Sequence, residues 1–294
     1  MMRRPPQLRR SWLFGAGADR AVHAAMAASG ADVLIQDLED FTPPERRIEA
    51  RSLAAALYTA WRAAGAEVVV RVNRLEDAGL TDLDAVMPAG PDCIAYPKAG
   101  NAHEIRALHA EISKREASCG WTPGSIEILP VCETAAGVVN LREMAAASPR
   151  VRCALLGAED LAADLGAERG MDGEELDYAR RRFVLECRAA GIEPIDAPYT
   201  YADVEGAVRE AWFARRLGYR AKSLVRPDHA ASINAVLTPG EADCVRALAL
   251  IAAFEAGRAR GEERVLVEGQ WVEVPTYLNA KRLIERARAF GLIT

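Results

Sequence analysis

Lysine is scarce in this sequence: Lys98, Lys114, Lys222 and Lys281 are the only four, against 33 arginines among the 37 basic residues. Few amines are therefore available for carbonyl chemistry, so the place of each one matters. The six cysteines form no C-x-x-C pair, and Cys93, Cys132 and Cys153 lie inside apolar runs, where a thiol behaves as a small hydrophobe. That pattern argues against a zinc ribbon or a disulfide scaffold and predicts reduced thiols and a cytoplasmic address. The four histidines, at 23, 103, 109 and 229, show no zinc-type spacing. No apolar run reaches the ~20 residues of a membrane span. The Met-Met-Arg-Arg-Pro-Pro start carries charge without an apolar segment behind it, so no signal peptide is expected. A net charge of −5 gives no overall attraction to nucleic acid or an anionic membrane, although a local basic pocket for small acidic substrates is compatible with it.

What is present is a repeating pattern. Short β-rich runs at 10–14, 32–39, 67–73, 92–98, 127–133, 153–160, 192–198 and 221–227 alternate with helical stretches such as 45–64, 101–118, 135–147, 174–190 and 202–217. Strands separated by helices pair in parallel, because each return to the same edge needs a crossover. Eight such units in 294 residues predict a (β/α)₈ TIM barrel over residues 1–238, within the usual size of that fold. Residues 239–294 are not needed to close it. They read as a C-terminal helix–hairpin–helix extension, with a hairpin signal at Glu268-Gly269, that lids the site or swaps onto a neighbouring subunit.

Polar residues mark the carboxyl ends of the strands, the end where barrel active sites sit. They are Asp37, Glu39 and Asp40, then Arg71 and Asn73, Lys98, Glu133, Glu159 and Asp160, Asp196, and finally Lys222 and Arg226. Glu133 and Asp160 stand about one βα unit apart, so both are expected at one mouth. Paired carboxylates repel unless a cation lies between them, and oxygen ligands with room for water suit Mg²⁺ or Mn²⁺ rather than zinc. Arg71, inside the apolar strand Val68-Val69-Val70-Arg71-Val72-Asn73, needs a buried anion. That anion is a substrate carboxylate or carbonyl oxygen, or else Asp37 or Glu39 in a structural pair. Lys98 and Lys222 offer a competing Schiff-base chemistry.

Taken in order, Arg10-Ser11-Trp12-Leu13-Phe14, Asp37-Leu38-Glu39-Asp40, Val70-Arg71-Val72-Asn73, Pro97-Lys98, Glu133-Thr134 with Gly137, Gly157-Ala158-Glu159-Asp160-Leu161 and Asp196-Ala197-Pro198-Tyr199 form a set. With them the chain resembles the citrate lyase β-subunit-like family, part of a metal-dependent aldolase group that includes malyl-CoA and citramalyl-CoA lyases. The resemblance spans about residues 10–290. It implies a divalent metal on Glu133 and Asp160 and Arg71 at the substrate oxygen. It also implies substrate contacts from Arg10, Asp37, Glu39, Lys98 and Ala158, and a homotrimer or hexamer whose tails cover adjacent sites. In the tail, Glu273 of Gly269-Gln270-Trp271-Val272-Glu273-Val274-Pro275 stands where the family carries an aspartate, which makes it the candidate acid/base. The implied reaction cleaves or forms a bond between a 2-oxo acid and an acyl-CoA-type substrate, or acts on a free hydroxy-acid. A malate synthase-like condensing enzyme or thioesterase, and a non-catalytic barrel subunit of a lyase complex, are the alternatives.

Overall fold

The computed structural model describes residues 3–293. They divide into two compact units, with the boundary between Leu237 and Thr238.

The first unit is a closed barrel of eight strands in sequence order. They are β1 (Ser11–Ala16), β2 (Val33–Asp37), β3 (Glu67–Arg71), β4 (Cys93–Tyr96), β5 (Glu127–Cys132), β6 (Cys153–Leu156), β7 (Glu193–Asp196) and β8 (Ala221–Leu224). Every neighbouring pair is parallel, and β1 closes on β8 with Ser11 opposite Lys222. The crossovers carry α1 (Arg20–Ala28), α2 (Arg47–Ala63), α3 (Leu80–Val86), α4 (Ala102–Cys119), α5 (Ala135–Val139), α6 (Leu141–Ala146), α7 (Glu159–Leu165), α8 (Asp177–Ala190) and α9 (Val204–Leu217); α10 (Ala230–Leu237) follows β8.

Side chains on a strand alternate between two faces, and here the two faces make two cores. Trp12, Phe14, Val33, Ile35, Leu129 and Leu155 belong to the cluster that fills the barrel. Their neighbours Leu13, Leu34, Val68, Ile94 and Leu156 belong to the larger cluster that includes the helices. Both faces are buried, which is why the strands read as continuous apolar runs. The amino-terminal end is closed by charge. Arg9 donates to Glu127 at 2.6 and 3.1 Å, and Arg10 donates to Asp32 through Nε at 2.8 Å and Nη2 at 2.9 Å.

Two expected elements end differently. The stretch 135–147 is two helices, α5 and α6, because Asn140 lies outside helical geometry and its side-chain amide donates to the Gly100 carbonyl at 2.8 Å. The sixth strand stops at Leu156, so Glu159 and Asp160 form the first turn of α7 rather than a strand end. Carboxylates there are favoured by the partial positive charge of a helix amino terminus.

The second unit comprises α11 (Glu241–Ala259), the antiparallel pair β9 (Val265–Val267) and β10 (Gln270–Val272), and α12 (Val274–Ala289). Glu268 and Gly269, both at positive φ, make its turn. Two small apolar clusters hold it, one of Cys244, Ala247, Ala280, Ile284 and Ala287 and one of Phe254, Val265 and Val272. Among the described residues, no helix is long and apolar enough to cross a membrane.

Candidate active site

At the carboxyl end of the barrel is a cavity of about 150 Å³ whose wall includes Arg71, Glu133, Ala158, Glu159, Asp160 and Asp40. Glu133 follows β5 on the inward face and is buried. Its Oε1 accepts the backbone N–H of Lys98 at 2.8 Å. Burial pushes its carboxyl up to about 7, with Asp160 and Glu39 adding to the rise and Arg71 and the Lys98 N–H opposing it. A buried acid that resists ionisation in an acidic surrounding is relieved by a cation. Asp160, half-exposed at the helix start, faces the same cavity. The donors are all oxygen and the cavity leaves room for water, the arrangement magnesium takes when it binds through one or two carboxylates. Among the described residues, no group of three metal-ligating side chains forms a closed cage.

Gly157 makes this placement of Glu133 possible. A Cβ added there would lie 2.6 Å from the Glu133 Cβ and 2.9 Å from its Oε2. Only glycine leaves that space.

Arg71, at the end of β3, has a divided guanidinium. Its Nε donates to Asp37 Oδ1 at 3.0 Å and its Nη2 to Asp37 Oδ2, while Nη1 lies 3.1 Å from Glu39 Oε2 and 3.9 Å from Glu133 Oε2. These anions and hydrogen bonds raise its pKa against burial, so it carries a permanent positive charge. Phe14 and Phe41 stack against it, with ring centroids 5.2 and 5.6 Å from Cζ. The structural pair with Asp37 therefore coexists with one guanidinium edge that reaches the cavity wall.

Lys98 has a positive φ of 50°, an uncommon conformation for a residue other than glycine. Its ammonium is 2.7 Å from Glu39 Oε1, 3.4 Å from Asp40 Oδ2 and 3.5 Å from Asp160 Oδ2. Against the cost of burial, Glu39, Glu133 and Asp40 raise its pKa, holding it as ammonium and not as the free amine a Schiff base needs.

Other expected site residues lie elsewhere. Arg10 sits at the amino-terminal end of β1 in its pair with Asp32, so it does not belong to the mouth. Asp37 is fully buried and also accepts the Glu39 N–H at 2.8 Å, and it orients Arg71 without lining the cavity. Glu39 likewise acts through Arg71 and Lys98, and Asp40 takes its place on the wall. Asp196 and Lys222 face outward. Asp196 accepts from Arg180 of α8 at 2.9 and 2.8 Å and from Lys222 Nζ at 2.6 Å, and Glu210 of α9 completes the network at 2.6 Å from Arg180. Lys222 is sealed between barrel and helices and is excluded from Schiff-base chemistry at the mouth. Arg226 pairs with Asp228 at 2.9 Å, and Asn73 pins the β3 exit through Asp82 at 2.8 Å.

Phe41 and Gly157 were not singled out from the sequence as site residues. Inward parity with Trp12 marks Phe14, but nothing local marks Phe41 or the approach of Gly157 to Glu133. In the second unit, Glu273 precedes α12, with its side chain 54% exposed and 3.7 Å from Arg264.

The chain is similar to known proteins over nearly its whole length. The citrate lyase subunit beta of Leuconostoc mesenteroides is 34% identical over 289 residues, 98% of this chain and 96% of that protein. The L-malyl-CoA/beta-methylmalyl-CoA lyase of Cereibacter sphaeroides is 32% identical over 306 residues, covering 96% of each. The structure of CitE from Mycobacterium tuberculosis in complex with magnesium, acetoacetate and coenzyme A superposes with a TM-score of 0.75 at 29% identity, over 95% of this chain and 98% of that one. With residues 10–227 matching its family pattern, the chain belongs to the HpcH/HpaI aldolase/citrate lyase family.

Proposed function

We propose that this protein is a magnesium-dependent carbon–carbon lyase that acts on a 2-oxo acid together with an acyl-CoA-type thioester. The observation that carries the reading is the convergence of Glu133, Asp160 and one edge of Arg71 on a single cavity at the carboxyl end of the barrel. Relatives support the cofactor and the substrate class: the CitE structure holds magnesium, acetoacetate and coenzyme A, and the Cereibacter relative is a malyl-CoA lyase. Glu133 and Asp160 are the residues that hold the metal, with Mn²⁺ as a substitute. When bound there, magnesium supplies Lewis-acid polarisation of a substrate carbonyl.

The chain's own residues supply the rest. Arg71, kept rigid by Asp37 and the two phenyl rings, presents fixed positive charge where an oxygen gains negative charge as the carbon–carbon bond breaks. Lys98 neutralises Glu39 and Asp40 beside that point, so the acidic mouth accepts an anionic substrate. Ala158, at the start of α7, borders the same space without bulk. The tail acts as a lid or a subunit-swapped cover in a homotrimer or hexamer, and Glu273 moves the proton to or from the acyl carbon.

The test is calorimetry with magnesium and then with 2-oxo acids, alongside turnover. Glu133→Gln and Asp160→Asn are expected to abolish magnesium binding while keeping the fold. Full activity in EDTA would refute the metal site. Glu273→Gln is expected to keep magnesium binding and lose turnover by about 10²-fold, the scale of general acid–base catalysis; unchanged turnover would leave Glu273 a surface residue.

A further inference from the structure

Asp160 is held in place less directly than Glu133. Glu133 is buried and accepts a backbone N–H, whereas Asp160 stands half-exposed on the first turn of α7. That helix has seven residues, and no side chain caps its amino terminus. The ends of so short a helix fray unless other contacts hold them. Leu161 and Ala162 anchor its inner face in the core, and Asp164, near its far end, accepts the Ala135 N–H at 2.7 Å. The turn that carries Asp160 is held through Glu159. One oxygen of that carboxylate, Oε1, accepts both the Thr200 hydroxyl at 2.9 Å and the Arg169 Nε at 3.2 Å. Thr200 lies between β7 and α9 and, like Glu159 and Asp160, lines the cavity. Arg169 arrives from the other direction. α7 ends at Gly166, in the left-handed conformation, and the chain runs back until residue 169 stands beside the turn where the helix began. An exposed ion pair fixes little. The Arg169 side chain, however, is only 18% exposed, and its Nη1 donates to Glu175, just before α8, so the guanidinium is confined between two carboxylates.

We infer that Thr200 and Arg169 are positioning residues for the metal ligand Asp160, acting through its neighbour Glu159. The inference rests on the reading of Glu133 and Asp160 as the magnesium ligands and adds what keeps the second of them in place. Three segments meet at one oxygen on the cavity rim: the start of α7, the loop that follows it and the loop after β7. Movement of the turn away from the cavity, which would carry Asp160 with it, stretches both hydrogen bonds at once. Outer partners that orient metal ligands are typically worth 10–100-fold in metal affinity. Here the tether grips the adjacent residue and not the ligand, which places the expected effect at the lower end, about tenfold.

The experiment titrates magnesium into the full chain by calorimetry, so the readout is metal binding and not turnover, with thermal unfolding in EDTA to confirm that each variant folds. Thr200→Val keeps the shape and removes only the hydroxyl; it is expected to bind magnesium about tenfold more weakly. Thr200→Ser, which restores the hydroxyl, is expected to bind as the wild type does. Arg169→Met separates position from charge. Removing a cation near a metal site strengthens metal binding by charge alone, whereas loss of the tether weakens it, and weaker binding is expected. A Thr200→Val protein with wild-type affinity, a Thr200→Ser protein as weak as Thr200→Val, or an Arg169→Met protein that binds more tightly would overturn this inference and leave the metal site standing. A wild-type protein that does not bind magnesium would overturn both.

Discussion

Gly157→Ala is the most discriminating perturbation of the metal site, because it changes no charge and removes no hydrogen bond. Gly157 does not occupy a positive-φ conformation, so alanine is allowed there and the effect is steric. The new Cβ would stand 2.6 Å from the Glu133 Cβ. Carbon atoms in contact prefer about 3.5–4.0 Å, so roughly 1 Å must be found. Two responses are available. Backbone movement would cost about 1–3 kcal/mol of stability, as overpacking usually does. Movement of Glu133 is resisted on its far side by the Lys98 N–H at 2.8 Å, and a displacement of about 1 Å costs on the order of 10²-fold in turnover. The assay combines thermal unfolding with magnesium calorimetry. The variant is expected to fold, to melt a few degrees lower, and to bind magnesium about tenfold or more weakly, the size of a lost ligand-orienting contact. Gly100→Ala is the control, since its nearest neighbours would be 3.9 Å away. A Gly157→Ala protein with unchanged magnesium affinity and turnover would refute the claim that this glycine positions Glu133 as a ligand.

Three further outcomes follow from the same geometry. The carboxyl of Glu133 is raised from 4.5 to about 7, so in the metal-free protein its contribution to stability is complete below 4.5 and is lost as the pH rises through 7. Magnesium selects the ionised form, so its affinity measured by calorimetry should weaken by up to about tenfold per unit as the pH falls from 7 to 5; a flat profile would remove Glu133 from the ligand set. Arg71→Lys should lose about 1.5–3 kcal/mol of transition-state stabilisation in kcat/KM, because an ammonium cannot hold Asp37 through two bonds and still face the cavity. Near wild-type kinetics would make Arg71 purely structural. Asp196→Asn should destabilise the barrel by about 3–5 kcal/mol in urea unfolding, since it leaves Arg180 and Lys222 buried with too little negative charge. Magnesium affinity of the folded protein should stay unchanged, and its loss would return Asp196 to the mouth.

The alternation of apolar runs with helical stretches was enough to order eight strands and to predict a barrel, because each run carries its own propensity and each crossover forces parallel pairing. The same runs located Arg71, Glu133 and Asp160 near the strand ends, and the structure brings those three to one cavity. Which end and which face a polar residue occupies was decided only by the folded chain. Arg10 is next to the first strand, yet it lies at the amino-terminal end, where Asp32, just before the neighbouring strand, neutralises it. Asp196 and Lys222 lie within strands just as Asp37 and Arg71 do, yet they point outward, since a shift of one residue along a strand reverses the face. Burial on both faces removes the polar–apolar alternation that would have marked the parity in the sequence. Partners 16 to 59 positions apart, such as Arg180 with Asp196 or Lys98 with Glu39, exist only once the barrel closes and brings its helices and strand-end loops together.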